Sequence, residues 1–298
     1  MLNITVIGAN SYIARNLVYL IKQQLPDTQL FLYDAADTQI DGLNGYEQID
    51  ILSKESVKKI NLCSDIIFMF VGKTGSAAGF DNFDIFIDIN EKALLNVLNE
   101  YRRQESKAKL IFPSTRLLYD NNGDATENEM TKELKTIYAI NKFACEQYLQ
   151  VYHKVYNVQY CIFRICIPYG SLISNASSYG TAEFMLSKAE KGEDITLFGD
   201  GSQRRTLTYI EDLCNILLKG ALCSQCVNSI YNVGGENYSL AEMAKLIADK
   251  YGVKVVFVAW SEVEAKIESG DTVFNSDKID KILQYKRKMN FAEWIAKK

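Results

Sequence analysis

What most constrains the fold is a series of short apolar runs, each parted from the next by a longer amphipathic stretch. The runs Asn3–Ile7, Gln29–Tyr33, Asp65–Val71, Lys109–Phe112 and Val158–Ile165 are rich in Ile, Val and Phe and have no polar face. Strands apolar on both faces belong in a parallel sheet covered on both sides. The stretches near Ser11–Gln24, Ser53–Ile60, Phe83–Arg103 and Thr131–Tyr156 have helical spacing and supply the covers. Right-handed crossovers then give an α/β fold, a doubly wound parallel sheet of the Rossmann type.

The pattern changes after Gly170. A polar run, Ser171–Tyr179, leads to a helix over Ala182–Lys191, a strand over Ile195–Phe198 and the turn-rich basic loop Gly199-Asp200-Gly201-Ser202-Gln203-Arg204-Arg205. Helices near Tyr209–Leu222 and Ser239–Tyr251 flank Tyr231-Asn232-Val233-Gly234-Gly235. With 298 residues and no low-complexity linker, one large domain with a satellite lobe is expected. Residues 1–165 plus about 205–233 would form the dinucleotide-binding domain. About 166–204 plus 234–298 would form an interleaved substrate-binding lobe.

A net charge of -4 argues against a nucleic-acid partner. The strongest apolar run, Ile66–Gly72, is far short of the roughly 20 residues that span a bilayer, so no membrane association is expected. The N-terminus enters a strand with no basic n-region, so no signal peptide is expected. Seven scattered cysteines, an odd number, make no disulfide framework. Cys223 and Cys226 form a CxxC, but no second close pair joins them and the single histidine, His153, is distant in sequence. Reduced thiols, no metal site and a cytoplasmic location are the expectation.

The first strand runs into Gly8-Ala9-Asn10-Ser11-Tyr12-Ile13-Ala14, where a helix opens. A glycine-rich strand-to-helix turn lets the backbone approach a pyrophosphate at the helix N-terminus. Here Gly8 holds the first glycine position, while Ser11 and Ala14 hold the second and third. Gly8, Asn10, Ser11, Tyr12 and Ile13 are thus candidate cofactor contacts. Asp34 ends the second strand, 20 residues past Ala14, where a carboxylate bonds an adenosine ribose 2′-hydroxyl and repels a 2′-phosphate. That favours NAD over NADP. Asp50 and Ile51 are placed beside the adenine. Gly72-Lys73-Thr74 lacks the spacing of a phosphate loop; Val71 and Gly72 are expected to line the cofactor and Lys73 the substrate.

Tyr138-Ala139-Ile140-Asn141-Lys142 lies in an amphipathic stretch, and four residues are about one helical turn, so phenol and ammonium share a face. Tyrosine is a weak acid, with a pKa of about 10. A lysine cation and an oxidised nicotinamide both favour the phenolate. Pro113-Ser114-Thr115 follows the strand ending at Phe112, which puts hydroxyls at the ligand-binding edge of the sheet.

With these residues in view the chain resembles the extended short-chain dehydrogenase/reductase family, the NAD-dependent nucleotide-sugar epimerases and dehydratases, over almost its whole length. Pro113-Ser114-Thr115-Arg116-Leu117-Leu118-Tyr119 is similar to the family's SSS-x-x-VY segment, which makes Thr115 the catalytic hydroxyl beside Tyr138 and Lys142. The Gly199–Arg205 loop through Tyr209-Ile210-Glu211-Asp212 resembles GDGxQxR…YVDD. The resemblance implies that Arg205 clamps a substrate diphosphate, a task suited to a bidentate donor. Arg164-Ile165-Cys166-Ile167-Pro168-Tyr169-Gly170 resembles RxxNxYG and puts Tyr169 at the substrate, with Ile167 in the asparagine position. Ser11 and Thr206 are further departures.

The implied activity is oxidoreduction at a sugar carbon of a nucleotide-diphosphate sugar. Dehydratases of this kind follow the catalytic Thr with Asp-Glu, whereas Arg116-Leu117 stand here. His153, 11 residues past Lys142, is read as a helix-surface residue. A 4-epimerase or a 4-ketoreductase remains. The alternative is a non-catalytic dinucleotide-sensing protein on the same fold. The resemblance also implies a homodimer, formed by pairing the Phe83–Arg103 and Thr131–Tyr156 helices.

Overall fold

The computed structural model describes every residue of the chain except Lys132, Ser177 and Tyr179. Seven strands, all parallel, form the principal sheet in the order Ser229–Asn232, Gln159–Ile165, Lys109–Thr115, Ile66–Met69, Asn3–Ile7, Gln29–Asp34, Tyr46–Gln48. The order reverses beside Asn3–Ile7, whose neighbours lead outward in opposite directions. A cleft for a ligand opens at the C-terminal ends of strands at such a reversal. All four residues of Ile66–Met69 are buried, as a strand covered on both faces requires.

One apolar core lies on each face. Leu17, Ile21, Leu213 and Leu217 pack with Ile4, Val6 and Phe68 on one side. Leu94, Leu98, Cys145 and Leu149 pack with Ile67, Leu110 and Ile162 on the other. No helix among the described residues is long and apolar enough to cross a membrane. Cys226 is sealed in the first core, and all seven cysteines are free thiols.

Two expected helices differ in instructive ways. The stretch Thr131–Tyr156 is helical only over Ile137–Tyr156. Thr136, extended at φ -141° and ψ 151°, caps it by accepting from the Ala139 amide at 3.1 Å, a bond worth about 1 kcal/mol. At the other end Asn157 adopts φ 58° and stops it. The stretch Phe83–Arg103 is not one α-helix either. It is α-helical over Phe83–Ile87 and Ala93–Arg103, with a π turn over Asp88–Lys92 between them. Such turns break the regular ladder to re-aim side chains, and this one turns Asn90 inward.

A second sheet carries Glu236–Ser239, Arg204–Tyr209, Thr272–Phe274 and Asn122–Ala125, with Ile167–Tyr169 also paired to Arg204–Tyr209. Arg204 and Arg205 are therefore strand residues and not part of a loop, because both lie in the antiparallel ladder to Tyr238 and Ser239. The helix that follows, Ile210–Leu222, packs on the first helix, Tyr12–Gln24, against the principal sheet. That helix thus belongs with the principal sheet, directly after a strand of the second one. Ile279, far along the C-terminal segment, also returns to the principal core.

Candidate active site

The glycine turn is built around Gly8, which has φ +85° and donates to the Tyr33 carbonyl at 2.8 Å. A Cβ there would lie 2.8 Å from backbone atoms of Phe70 and Val71, so only glycine fits. The Asp34 carboxylate accepts from the Asn10 amide at 2.9 Å and the Ala35 amide at 2.8 Å. Ser11 is the N-cap of Tyr12–Gln24, yet its side chain makes no capping bond. The hydroxyl is shut away from solvent with no partner among the described residues. The first helical turn also carries no acidic side chain. An orphaned hydroxyl at the unneutralised N-terminus of a 13-residue helix fits the pyrophosphate of a dinucleotide.

Other expected cofactor residues have mixed places. The Asn10 side chain is spent on the loop after the second strand, bonding Thr38 O and the Ile40 amide at 3.0 Å each. Tyr12 turns its phenol away and donates to Gly170 O at 2.5 Å, so only its backbone remains at the turn. Ile13 packs against the first core. Asp50 is exposed and caps the next turn through the Leu52 amide at 2.9 Å. Ile51, expected beside adenine, points into the second core at 6% exposure, because the chain turns down towards Val57 after the strand. Val71 lies half-buried at the strand end and Gly72 beyond it is exposed. Sequence reasoning missed Arg15, which forks onto Asp41 at 2.9 and 2.6 Å and reaches Asn175 O at 2.7 Å. That bridge draws the 35–45 loop across the first helix.

Asn90, also missed, organises the next strand end. Its side chain accepts from the Lys73 amide at 2.9 Å and donates to Lys73 O at 3.2 Å, while its own carbonyl accepts from the Cys145 thiol at 3.1 Å. A Cβ on Gly72 would meet Asn90 at 3.1 Å and Lys142 Nζ at 3.8 Å, which puts Gly72 over Lys142. The Lys73 side chain is exposed and forms no ion pair among the described residues. The signal for Asn90 was a polar residue on the buried face of an otherwise apolar helix.

Thr115, Tyr138 and Lys142 come together. Thr115 ends the strand Lys109–Thr115, three residues longer than read from sequence, and its hydroxyl accepts from the Leu117 amide at 3.3 Å on the side of Tyr138. Burial pushes the Tyr138 phenol up to about 12, opposed by the neighbouring Thr115 hydroxyl and by the Arg116 cation. Lys142, 5% exposed, donates to Pro113 O at 2.8 Å with Nζ 4.4 Å from the Phe112 ring centroid. Burial pulls its ammonium down to about 8.

A closed polar network supports this trio. Ser114 donates to Glu146 at 2.5 Å, and Glu146, one turn past Lys142, pairs with Arg164 at 2.8 and 3.0 Å. Arg164 and Glu146 are 1% and 0% exposed. Arg164 continues to the Tyr119 hydroxyl at 2.8 Å and Glu127 O at 3.0 Å, and Tyr119 donates to Asn232 at 2.7 Å.

On the substrate side a cleft of about 210 Å³ is walled by Ser76, Arg116, Leu117, Trp260, Glu264 and Glu268. Arg205 stands behind it, 2% exposed, and is already engaged. Its Nη2 pairs with Glu268 at 2.5 Å and its Nη1 donates to Arg204 O at 2.9 Å and to Gly270 O. A free diphosphate clamp is thus not what the side chain presents. Tyr169 is a correction: at 0% exposure its ring lies 5.1 Å from both Phe291 and Trp294 in the lobe core. The strand Ile167–Tyr169 buries its odd positions, so that ring cannot reach a substrate.

Comparisons with known proteins bear on this geometry. Residues 4–234 match the model of the NAD dependent epimerase/dehydratase family. CDP-paratose 2-epimerase of Salmonella typhi is 23% identical, over 83% of this chain and 81% of that protein. UDP-glucuronic acid 4-epimerase of Bacillus cereus, solved with UDP-glucuronic acid and NAD, superposes with a TM-score of 0.86 at 19% identity, covering 99% of this chain and 97% of that one. UDP-glucose 4-epimerase of Thermotoga maritima, solved with UDP-glucose, gives a TM-score of 0.83 at 19% identity over 99% and 96%. The glycine turn, the Thr115–Tyr138–Lys142 trio and a family match across most of the chain lead to one conclusion: this protein belongs to the NAD dependent epimerase/dehydratase family of enzymes.

Proposed function

We propose that the chain carries out NAD-dependent oxidoreduction at a sugar carbon of a nucleotide-diphosphate sugar, as a 4-epimerase or 4-ketoreductase. The observation that carries this reading is the convergence of Thr115, Tyr138 and buried Lys142, whose Nζ lies 6.0 Å from the Tyr138 ring centroid, at the sheet edge beside the dinucleotide turn. When bound, NAD supplies the hydride acceptor and donor and a positive charge that favours phenolate. Tyr138 Oη takes the proton of the reacting hydroxyl and returns it to the reacting oxygen in the reverse sense. Thr115 Oγ1 holds that oxygen in line. Lys142, one of whose three donors is held by Pro113 O, keeps two for a ribose and adds its charge below the phenol.

Asp34, already bonded to the turn amides, disfavours a 2′-phosphate, which supports NAD over NADP. Arg116 in place of an acid after Thr115 removes the carboxyl pair that water elimination requires. Phe83, Ile85 and Ile87 on one helix and Ile140, Val151 and Val155 on the YxxxK helix are exposed apolar side chains, which supports a homodimer through these helices. The test is Tyr138→Phe with its NAD content measured alongside. Turnover of nucleotide sugars should drop by about 10²–10⁴ with cofactor still bound. Unchanged turnover would remove Tyr138 from the chemistry.

A further inference from the structure

The substrate cleft places two guanidinium groups near one paired carboxylate. Arg205 takes Glu268. Arg116, the residue after Thr115, donates through Nη1 to two neutral hydroxyls, Ser269 at 2.7 Å and Thr272 at 3.5 Å, and forms no ion pair among the described residues. Glu264, also on the cleft wall, accepts from the Ser261 hydroxyl at 2.7 Å and forms no ion pair with Arg116. Arginine carries five N–H donors in a planar fork. The Nη2 and Nε edge of Arg116 has no acceptor among the described residues. Burial, with the neighbouring Arg205 charge, pulls this guanidinium down to about 10 although the Glu268 charge opposes the shift, so the cation is held at an electrostatic cost that a bound anion would relieve.

The position of Arg116 decides which anion. This residue lines the cleft directly after Thr115 in the chain, and its charge reaches the Tyr138 phenol, which sets it on the side of the cleft nearest the Thr115–Tyr138 pair. In a hexose reacting at C4 the diphosphate leaves from C1 on the far side of the ring, whereas the C5 substituent is adjacent. We infer that Arg116 receives a carboxylate carried on the sugar ring next to the reacting carbon, so that the substrate class is a nucleotide hexuronate and not a neutral hexose. Among the relatives, proteins named for neutral and for acidic sugars both occur, so likeness alone does not choose. The inference rests on the nucleotide-sugar reading above and narrows it.

The probes are paired UDP, GDP, dTDP and CDP derivatives of a hexose and of its hexuronate, bound to the NAD-loaded full chain by calorimetry. The hexuronate should bind about tenfold or more tighter than the hexose on the same nucleotide. In Arg116→Leu that ratio should fall towards one, and Arg116→Lys should restore part of it. Melting temperature and NAD content of each variant show that it is folded. A wild-type preference for the hexose overturns the carboxylate assignment and leaves the nucleotide-sugar reading standing. Equal loss for both sugars in Arg116→Leu overturns it too, and assigns Arg116 to the diphosphate. Binding of none of the sugars, with NAD still held, overturns both readings.

Discussion

Two buried arginines, Arg164 and Arg205, pair with glutamates at similar distances and in opposite settings. Arg164–Glu146 lies under the catalytic trio with both partners sealed, and its remaining donors end on Tyr119, Glu127 O and Met130 Sδ. Burial alone would lower the pKa of this arginine; the hydrogen bonds and charge of Glu146 raise it instead. Arg205–Glu268 borders the cleft, with Glu268 22% exposed and a second cation, Arg116, beside it. The first pair is complete in itself and joins the YxxxK helix to the wall of the substrate loop. The second leaves charge over. A closed pair fixes geometry, while an open one is able to exchange a partner for a ligand.

The largest effect should come from breaking the closed pair. Arg164→Ala or Glu146→Ala leaves one buried charge alone and should cost about 3–5 kcal/mol in chemical denaturation. Replacing both by Met should recover much of that loss. A single-variant cost below about 1 kcal/mol would mean that the pair is not closed in solution.

A smaller effect is expected at the open pair. Glu268→Gln should cost about 1–2 kcal/mol, since Arg205 keeps its two carbonyl acceptors. Binding of UDP, measured by calorimetry, should strengthen several-fold as the guanidinium is released. Unchanged UDP affinity would detach Arg205 from the diphosphate.

The smallest effect concerns Lys142, whose ammonium is lowered by burial and partly restored by the Glu146 carboxylate. Above pH 8 the folded protein gives up this proton before the unfolded chain does, near pH 10.5. The unfolded state then binds more protons, and stability rises with pH. Relative to Lys142→Met, the gain between pH 7 and 8.5 should be less than about 1 kcal/mol. In Glu146→Gln the rise should begin at lower pH, whereas Glu268→Gln should leave it in place. Parallel curves for all three proteins would show that Lys142 does not feel the closed pair.

Much of the sheet was legible because its strands are apolar on both faces and its helices are amphipathic; Asn3–Ile7 agrees residue for residue. Tyr46–Gln48 escaped because an edge strand with mostly exposed side chains carries no apolar signature. The π turn escaped because apolar spacing is nearly the same in α and π geometry over five residues. At the site, Thr115, Tyr138, Lys142, Gly8 and Asp34 were visible through spacing along one turn or one strand end. Arg15, Asn90, Glu146 and Glu268 were not, since each finds its partner through space: Glu146 meets Arg164 across 18 residues and Glu268 meets Arg205 across 63.

By itself the sequence determined what local chemistry dictates: a parallel sheet, a glycine at a strand-to-helix turn, and a tyrosine one helical turn from a lysine. Tertiary structure alone decided which charges are spent and which are left over. Arg205 and Tyr169 read as substrate contacts along the chain, yet folding gives one to Glu268 and the other to an aromatic core. Arg116 reads along the chain only as the residue that stands where a dehydratase has an acid, yet folding puts it on the cleft wall with no ion pair among the described residues. The reason is physical: a side chain's valence for hydrogen bonds is written in its residue type, but how much remains for a ligand depends on neighbours that only the fold brings near.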